Sequence, residues 1–557
     1  MVFCLFCLDK YLCLCYHGIG KIPRKSGLNS FFTYRKDTDM EKKFIVLPVN
    51  DEKPVKRCFI RDGETLLNDF TIALDFDTPR MDVYVDVTRF GCAFTLTDEE
   101  GKPVAYRTAD RLPTVDEIPG GDVLRPAAHF TTTIGWINDP NGLIYVNGRY
   151  HLFYQHNPTS VNWGNMTWGH AVSEDLVHWT ELGDALFPDE TGTMFSGSAV
   201  CDERNVSGLG EGAILLYYTA AGDNSVQSRG VPFTQCLAYS PDNGETFTKY
   251  EKNPIISHII GGNRDPKVQW SDELGRYTLS LYLDGAKYCI FASDNLLDWE
   301  KIADVHTPLD NECPDFYPLT VDGKTKWVFS GAHDSYIIGE IKDGTFVPEQ
   351  DNLPYHIGPG CSYAAQSYSG TGDRRIKIPW GQNRAPGAVF NSQMGIPTEM
   401  FLQNVDGTIR LGSLPVKEAE LLECSEWNRN SFSGKCGQIS LGKPVDKAAL
   451  RVKMTIDPAS DDFTFSCFGM EIRFSPKNNT YTHGECTAPL TYDGDMNVDM
   501  IFDTLGAEIF ADNGLIYSTI GRVADRTGLI GISLDGWAKL TVDYAALSMD
   551  KNEKVYW

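Results

Sequence analysis

No stretch of this chain reaches the ~18 consecutive apolar residues that a membrane-spanning helix needs. Basic residues are scarce as well: 50 Lys and Arg stand against 75 Asp and Glu, a formal net charge of −25. That balance repels phosphate backbones and anionic lipid, so nucleic acid and membrane surfaces are excluded as partners, whereas a neutral sugar is compatible with it. The opening residues, MVFCLFCLDKYLCLCYHGIG, carry no basic region before the apolar run, are interrupted by Asp9 and Lys10, and lead into no small-residue cleavage site. No secretory signal is expected there. Cysteine lacks a paired framework: Cys4, Cys7, Cys13 and Cys15 crowd the leader, the other eleven are scattered, and no His or second Cys pair follows at ligand spacing. Reduced thiols in the cytoplasm are expected, with secretion as the alternative, and neither a metal nor a cofactor.

What remains is β-rich and too long, at 557 residues, for a single core. Residues 1–43 read as a disordered or non-native leader, with Met40 of MEKKFIVLP as the true start. From 44 to 122 the pattern is strand-like, since Met81 to Val87 sets its valines on one face by period two, and a small N-terminal β-domain is expected. Pro113 and the run Ile118-Pro119-Gly120-Gly121 punctuate its end. Between 123 and 415 a short unit recurs three times: a strand ending in Ser173, Ser240 or Ser293, an acidic turn, then an aromatic residue. The spacing fits blades of four strands with loop insertions, that is, a β-propeller. From 416 to 557 come a short helical stretch (416–424), alternating strands at 449–456, 463–474 and 498–510, and a hairpin turn at Asp512-Asn513-Gly514.

The chemistry concentrates in Gly135-Trp136-Ile137-Asn138-Asp139-Pro140-Asn141-Gly142. Here a carboxylate sits on a tight turn framed by an indole, whose face suits the C–H groups of a sugar ring, and by amides that can bond hydroxyls. Taken alone, the same residues read equally well as an Asx-turn ending a strand. Two further acidic segments follow, Gly262-Asn263-Arg264-Asp265-Pro266 and Asn311-Glu312-Cys313-Pro314-Asp315-Phe316. WINDPNG, RDP and ECPDF in this order resemble the signature blocks of glycoside hydrolase family 32, the invertase, levanase and inulinase group. The resemblance runs from about Arg125 to the C-terminus.

That resemblance implies an all-β chain in which a five-bladed propeller is followed by a β-sandwich, and a retaining enzyme that releases fructose from β-fructofuranosides by double displacement. It implies Asp139 as nucleophile, Glu312 as acid and then base, and Asp265 as stabiliser of the fructosyl transition state. Asn138, Gln155, Trp163, Phe195, Ser196 and Trp380 fall in the implied fructose subsite, with Trp136 and Arg264 beside them. A propeller would explain why the acids are far apart in sequence, since innermost strands converge on one channel. An ionised Asp139 within ~5 Å of Glu312 is expected to keep Glu312 protonated, and Arg264 to keep its neighbour Asp265 ionised.

The chain departs from the family pattern at Gly360-Cys361-Ser362-Tyr363, where an acidic residue often precedes the aromatic, and at Thr504-Leu505-Gly506, where the family has Arg-Ser-Ser. These departures bear on the leaving-group side and on the contacts of the late hairpin. A fructosyltransferase with the same three acids, a non-catalytic fructan-binding protein and an inverting five-bladed glycosidase are the competing readings. Sucrose and short fructo-oligosaccharides are the favoured substrates, with levan or inulin as polymeric alternatives, and the oligomeric state is left open.

Overall fold

The computed structural model describes residues 43–555 apart from 92, 359, 436, 444–446 and 491–493. The expected leader lies outside the described residues except for Lys43, which belongs to the first sheet: its amide donates to the Ala109 carbonyl at 3.1 Å. Among the described residues no helix is long and apolar enough to cross a membrane.

Two three-stranded sheets come first. Phe44–Val49 lies between Met81–Asp86 and Arg107–Ala109, and Lys56–Asp62 lies between Thr65–Ile72 and Thr95–Asp98. In Met81–Asp86 every second residue is buried, as the period-two valines require. Leu47, Ile60, Val83 and Leu96 form the core of this N-terminal module, which also takes in Ile134, Val389, Phe390 and Leu505 from later in the chain. The module is therefore packed onto the rest of the molecule by apolar burial.

Five sheets follow, each built on four antiparallel strands and three of them carrying a short fifth, and each beginning with its innermost strand: Gly135–Val146, Thr193–Asp202, Arg264–Ser271, Asp315–Val321 and Ser362–Ser367. Successive innermost strands touch one another and the fifth touches the first, so the sheets close into a five-bladed propeller. Phe390–Asn391, in the fifth blade's insertion, pairs in parallel with Gly135 and Trp136 and staples the ring shut. The sequence repeat marks the ends of the third strands of blades one to three. Ser173, Ser240 and Ser293 turn their hydroxyls onto Asp175, Asp242 and Asn295 two residues on. Leu176, Asn243 and Leu296, three residues after each serine, all take left-handed backbone, with φ of 70°, 64° and 65°. The repeat is thus turn chemistry reused at one place in each blade.

Two six-stranded sheets close the chain around a core that includes Phe463, Phe465, Phe474, Met500 and Ile509. The short helical stretch is a 3-10 helix, Lys417–Leu422. The expected strands at 463–474 and 498–510 are each a tight hairpin, Phe463–Cys467 with Met470–Ser475 and Met496–Asp503 with Gly506–Ala511. Asp512-Asn513-Gly514 makes the next turn, as its residues predict.

The Thr504-Leu505-Gly506 hairpin is anchored to the propeller entrance. Asp503 accepts the Ala127 and Ala128 amides at 2.9 and 2.8 Å and His129 Nδ1 at 2.8 Å, while His129 Nε2 lies 3.2 Å from Glu508. Thr504 Oγ1 donates to the Arg125 carbonyl at 3.2 Å, and Asn383 Nδ2 to the Leu505 carbonyl at 2.7 Å.

Candidate active site

Four of the five innermost strands carry a register shift at one level: between Ile137 and Pro140, Phe195 and Gly197, Arg264 and Lys267, and Tyr363 and Gln366. A bulge re-aims side chains that a regular strand would send into the sheet. Asp139, Ser196, Asp265 and Tyr363 sit at these breaks, and Glu312 stands just ahead of the fourth blade's innermost strand. Asp265, Glu312, Cys313 and Ala364 have φ of 67°, 52°, 38° and 52°. Non-glycine residues held in that region store strain, and they cluster here at one end of the propeller axis.

Asp139 is gripped through both oxygens: Ser196 Oγ donates to Oδ2 at 2.6 Å and Asn138 Nδ2 to Oδ1 at 3.1 Å. Trp136 Nε1 in turn donates to Asn138 Oδ1 at 2.8 Å, and Asn141 Oδ1 receives the Gly197 amide at 3.1 Å. Gly142 is dictated by space as well as by its φ of 53°, because a Cβ there would lie 2.6 Å from the Phe153 ring. Cys313 bridges two of the acids, its Sγ 3.5 Å from both Asp139 Oδ2 and Asp265 Oδ2 and its amide donating to Asp265 Oδ2 at 2.9 Å. The Asp265 amide donates to Thr219 Oγ1 at 2.9 Å. Glu312 Oε2 accepts the Tyr363 hydroxyl at 2.5 Å, Oε1 accepts Arg264 Nη2, and Tyr288 supports its carbonyl at 3.1 Å.

The electrostatics differ from expectation. Arg264 turns to Glu312, leaving its Nε 3.9 Å from Asp265. The left-handed backbone of Asp265 at the bulge turns its carboxylate toward Cys313, so the guanidinium bonds Glu312 directly and reaches Asp265 only at long range. Burial, only partly offset by Arg264 and reinforced by Glu312 and Asp139, pushes Asp265 up to about 7. Asp139 is also pushed up, by burial against the bonds from Ser196 and Asn138. Burial raises Glu312 too, but the Tyr363 hydroxyl and Arg264 outweigh it and hold the carboxyl below its usual range. In the free site, then, the excess proton affinity lies with the aspartates rather than with Glu312, which corrects both charge expectations.

Around the acids, Gln155 Nε2 and Trp380 Nε1 are buried donors without a protein partner. Trp380 meets Tyr363 edge-on at 6.1 Å and Trp136 at 5.8 Å, so its indole faces the site. Trp163, 55% exposed, and Phe195 meet edge to face at 6.0 Å. Trp136 corrects the reading of it as a sugar platform. It is 3% exposed and its ring lies against the Arg384 guanidinium at 4.9 Å, so it supports Asn138 from behind. Tyr363, Cys313, Thr219 and Tyr288 are site residues that the sequence reasoning did not assign, although Cys313 lies inside one acidic block and Tyr363 inside a quoted departure. Among the described residues no group of three or more His, Cys, Asp and Glu is arranged to hold a metal ion.

Residues 129–412 match the family model for the glycosyl hydrolases family 32 N-terminal domain. Over 466 residues the chain is 32% identical to a levanase of Bacillus subtilis, covering 72% of this chain and 67% of that protein. Over 348 residues it is 35% identical to an extracellular exo-inulinase of Aspergillus niger, covering 52% of this chain and 64% of that one. The chain thus spans about two thirds of the length of these curated relatives. The fold matches the crystal structure of exo-inulinase from Aspergillus awamori with a TM-score of 0.68 and 26% identity, over 77% of this chain and 100% of that chain.

Proposed function

This chain belongs to glycoside hydrolase family 32, and on that premise we propose that it hydrolyses β-fructofuranosides, releasing fructose with retained configuration. One observation carries the reading. Three acids from different blades meet at one end of the channel beside two buried donors, Gln155 Nε2 and Trp380 Nε1, that only a ligand or water can satisfy. Sugar hydroxyls are acceptors of the required kind.

In this mechanism Asp139, its oxygens fixed by Ser196 and Asn138, attacks the anomeric carbon of the fructosyl unit. The glycosidic C–O bond breaks as the Asp139 C–O bond forms, and the proton on Glu312 passes to the leaving oxygen. Water then attacks the fructosyl-enzyme, giving its proton to Glu312 and freeing Asp139. Glu312, with 28% of its side chain exposed, faces the mouth by which a leaving group departs. A sugar seated there strips its water and raises its pKa, moving a proton onto it for the first step. Asp265 accepts hydroxyls of the fructosyl ring, and the ionised form it takes with sugar bound favours the cationic transition state. We place the chain in the cytoplasm, a reading supported by nine free cysteines among the described residues.

Incubation of the purified protein separately with sucrose, inulin and levan, followed by separation of the products, tests the assignment. Free fructose from at least one of them is expected. Longer oligosaccharides from sucrose would make it a transferase, and no product from any of them would overturn the reading.

A further inference from the structure

Phe195, next to Ser196, meets Phe233 edge to face with centroids 5.5 Å apart, and the Phe233 carbonyl lies 3.2 Å from His258 Nδ1. Directly after His258 stand Ile259 and Ile260, 44% and 47% exposed. Exposed aliphatic side chains that stand together beside a site, rather than singly, offer a surface that a ligand can cover. Their loop is built rather than slack: the buried Asn263 takes both isoleucine amides on Oδ1, at 3.0 and 3.3 Å. Arg264, bonded to Glu312, follows at once. Phe233, Ile259 and Ile260 therefore stand on two loops joined at His258 and tied to the acids through Phe195 and Arg264, an apolar ledge interrupted by His258.

The N-terminal module buttresses this ledge. Asp69, its side chain fully buried and paired with Arg57, accepts the Val226 and Gln227 amides at 3.0 Å each, fixing the loop that ends at Phe233. Two residues on, Thr71 takes the Asn165 side chain on both its amide and its carbonyl, at 2.9 and 2.8 Å, fixing the loop that carries Trp163. Thr65–Ile72 is the outer strand of its sheet, and it holds one rim loop by the Asp69 side chain and the other by the Thr71 backbone.

We propose that Phe233, Ile259 and Ile260 form an accessory subsite for sugar units of a fructan chain beyond the two that sucrose supplies, and that the N-terminal module holds this subsite in place through Asp69. The inference rests on the hydrolase reading above. The C–H faces of furanose rings and the methylene groups of the chain stack on such a surface, and a disaccharide is too short to cover it.

The test uses the full chain, with kcat/KM measured on sucrose and on a long-chain fructan. In the double variant Ile259→Ser, Ile260→Ser the fructan value falls about tenfold, through KM, while sucrose stays within about twofold. Asp69→Ala moves the fructan-to-sucrose ratio the same way. Val83→Ala, which weakens the module's core without touching Asp69, leaves the ratio unchanged. Equal losses on both substrates, or no loss on fructan, in the isoleucine variant would overturn the proposal. Both isoleucines are exposed, so misfolding does not confuse that result. If the wild type cleaves neither sugar, the hydrolase reading fails instead, and retardation of wild type but not of the double variant in a fructan-containing gel decides the ledge on its own.

Discussion

Asp265 on the propeller axis and Asp503 at the seam between propeller and sandwich are both fully enclosed carboxylates, and the molecule treats them in opposite ways. Asp503 receives three backbone amides, those of Ala127, Ala128 and Thr504, and the His129 ring. Burial pushes its pKa up, yet those bonds outweigh it and hold the carboxyl below its ordinary range. Burial also works against protonated His129, but Asp503 and Glu508 outweigh it and lift the imidazole to about 9. Asp265 receives one amide and a thiol, its neighbouring guanidinium bonds Glu312 and stays 3.9 Å off, two other acids stand close by, and burial with them lifts its carboxyl to about 7. Burial does not distinguish the two clusters. The number of donors does: a carboxylate supplied with donors locks elements together, whereas one left short of them is reactive and destabilising until a ligand arrives.

The sharpest way to break this comparison is to remove one acid from each cluster. Asp139→Asn is expected to cut kcat on sucrose by about a thousandfold or more, because the amide keeps the shape and loses the nucleophile. Its melting temperature should not fall. Retention of more than about a tenth of the wild-type rate would remove Asp139 from the nucleophile's role.

Asp503→Ala should do the reverse. It leaves three backbone amides without their acceptor and His129 with Glu508 alone, a loss of about 3 to 5 kcal/mol by the usual measure of breaking a buried pair. Turnover per folded molecule should hold. His129 has its folded pKa, about 9, above the ordinary 6.5, so its contribution is fully present below 6.5 and is lost as pH rises through 9. Denaturant titrations of wild type and variant should therefore converge over that window. A gap that stayed constant from about pH 6.5 to about 9 would mean that His129 is neutral in the seam.

Sequence reading reached the acids and the blades because both are local. Asp139, Asp265 and Glu312 each lie in a compact block, and the Ser-Asx turns at Ser173, Ser240 and Ser293 repeat their chemistry within four residues. What it missed depended on direction rather than on composition. The partner of Arg264 was misjudged because sequence adjacency suggested Asp265 alone, whereas the guanidinium bonds Glu312 and stands 3.9 Å from Asp265. Trp136 looked like a sugar platform because Arg384, which covers its ring, comes from the fifth blade. Tyr363 reaches Glu312 only because the bulge beside it and the left-handed Ala364 re-aim that strand, and no residue pattern announces such a bulge.

Asp265→Asn sharpens the comparison from the stability side. A carboxyl lifted from 3.8 to about 7 is paid for by the fold once ionised. The penalty is absent below 3.8, grows as pH rises, and is complete above 7. The amide can still accept the Cys313 amide. The variant should therefore melt roughly 2 to 4 °C above wild type at pH 8, with no gain at pH 4, while losing activity. An equal gain at both pH values would show that packing, and not charge, is responsible.

The smallest expected effect comes from Tyr363→Phe, and it tests whether donors set the proton affinity within the active cluster as they do at the seam. The Tyr363 hydroxyl donates to Glu312 Oε2 at 2.5 Å, which stabilises the ionised carboxylate and lowers its pKa. Removing the donor raises that pKa, so Glu312 keeps its proton to higher pH. The alkaline limb of kcat/KM should move to higher pH, with the value at the optimum reduced only a few-fold. Because the three acids titrate as a coupled set, the limb belongs to the cluster and its movement, not its absolute position, is the readout. A limb that moved down would mean that the hydroxyl serves the protonated carboxyl, and the contrast between well-supplied and under-supplied acids would then fail at the residue on which turnover depends.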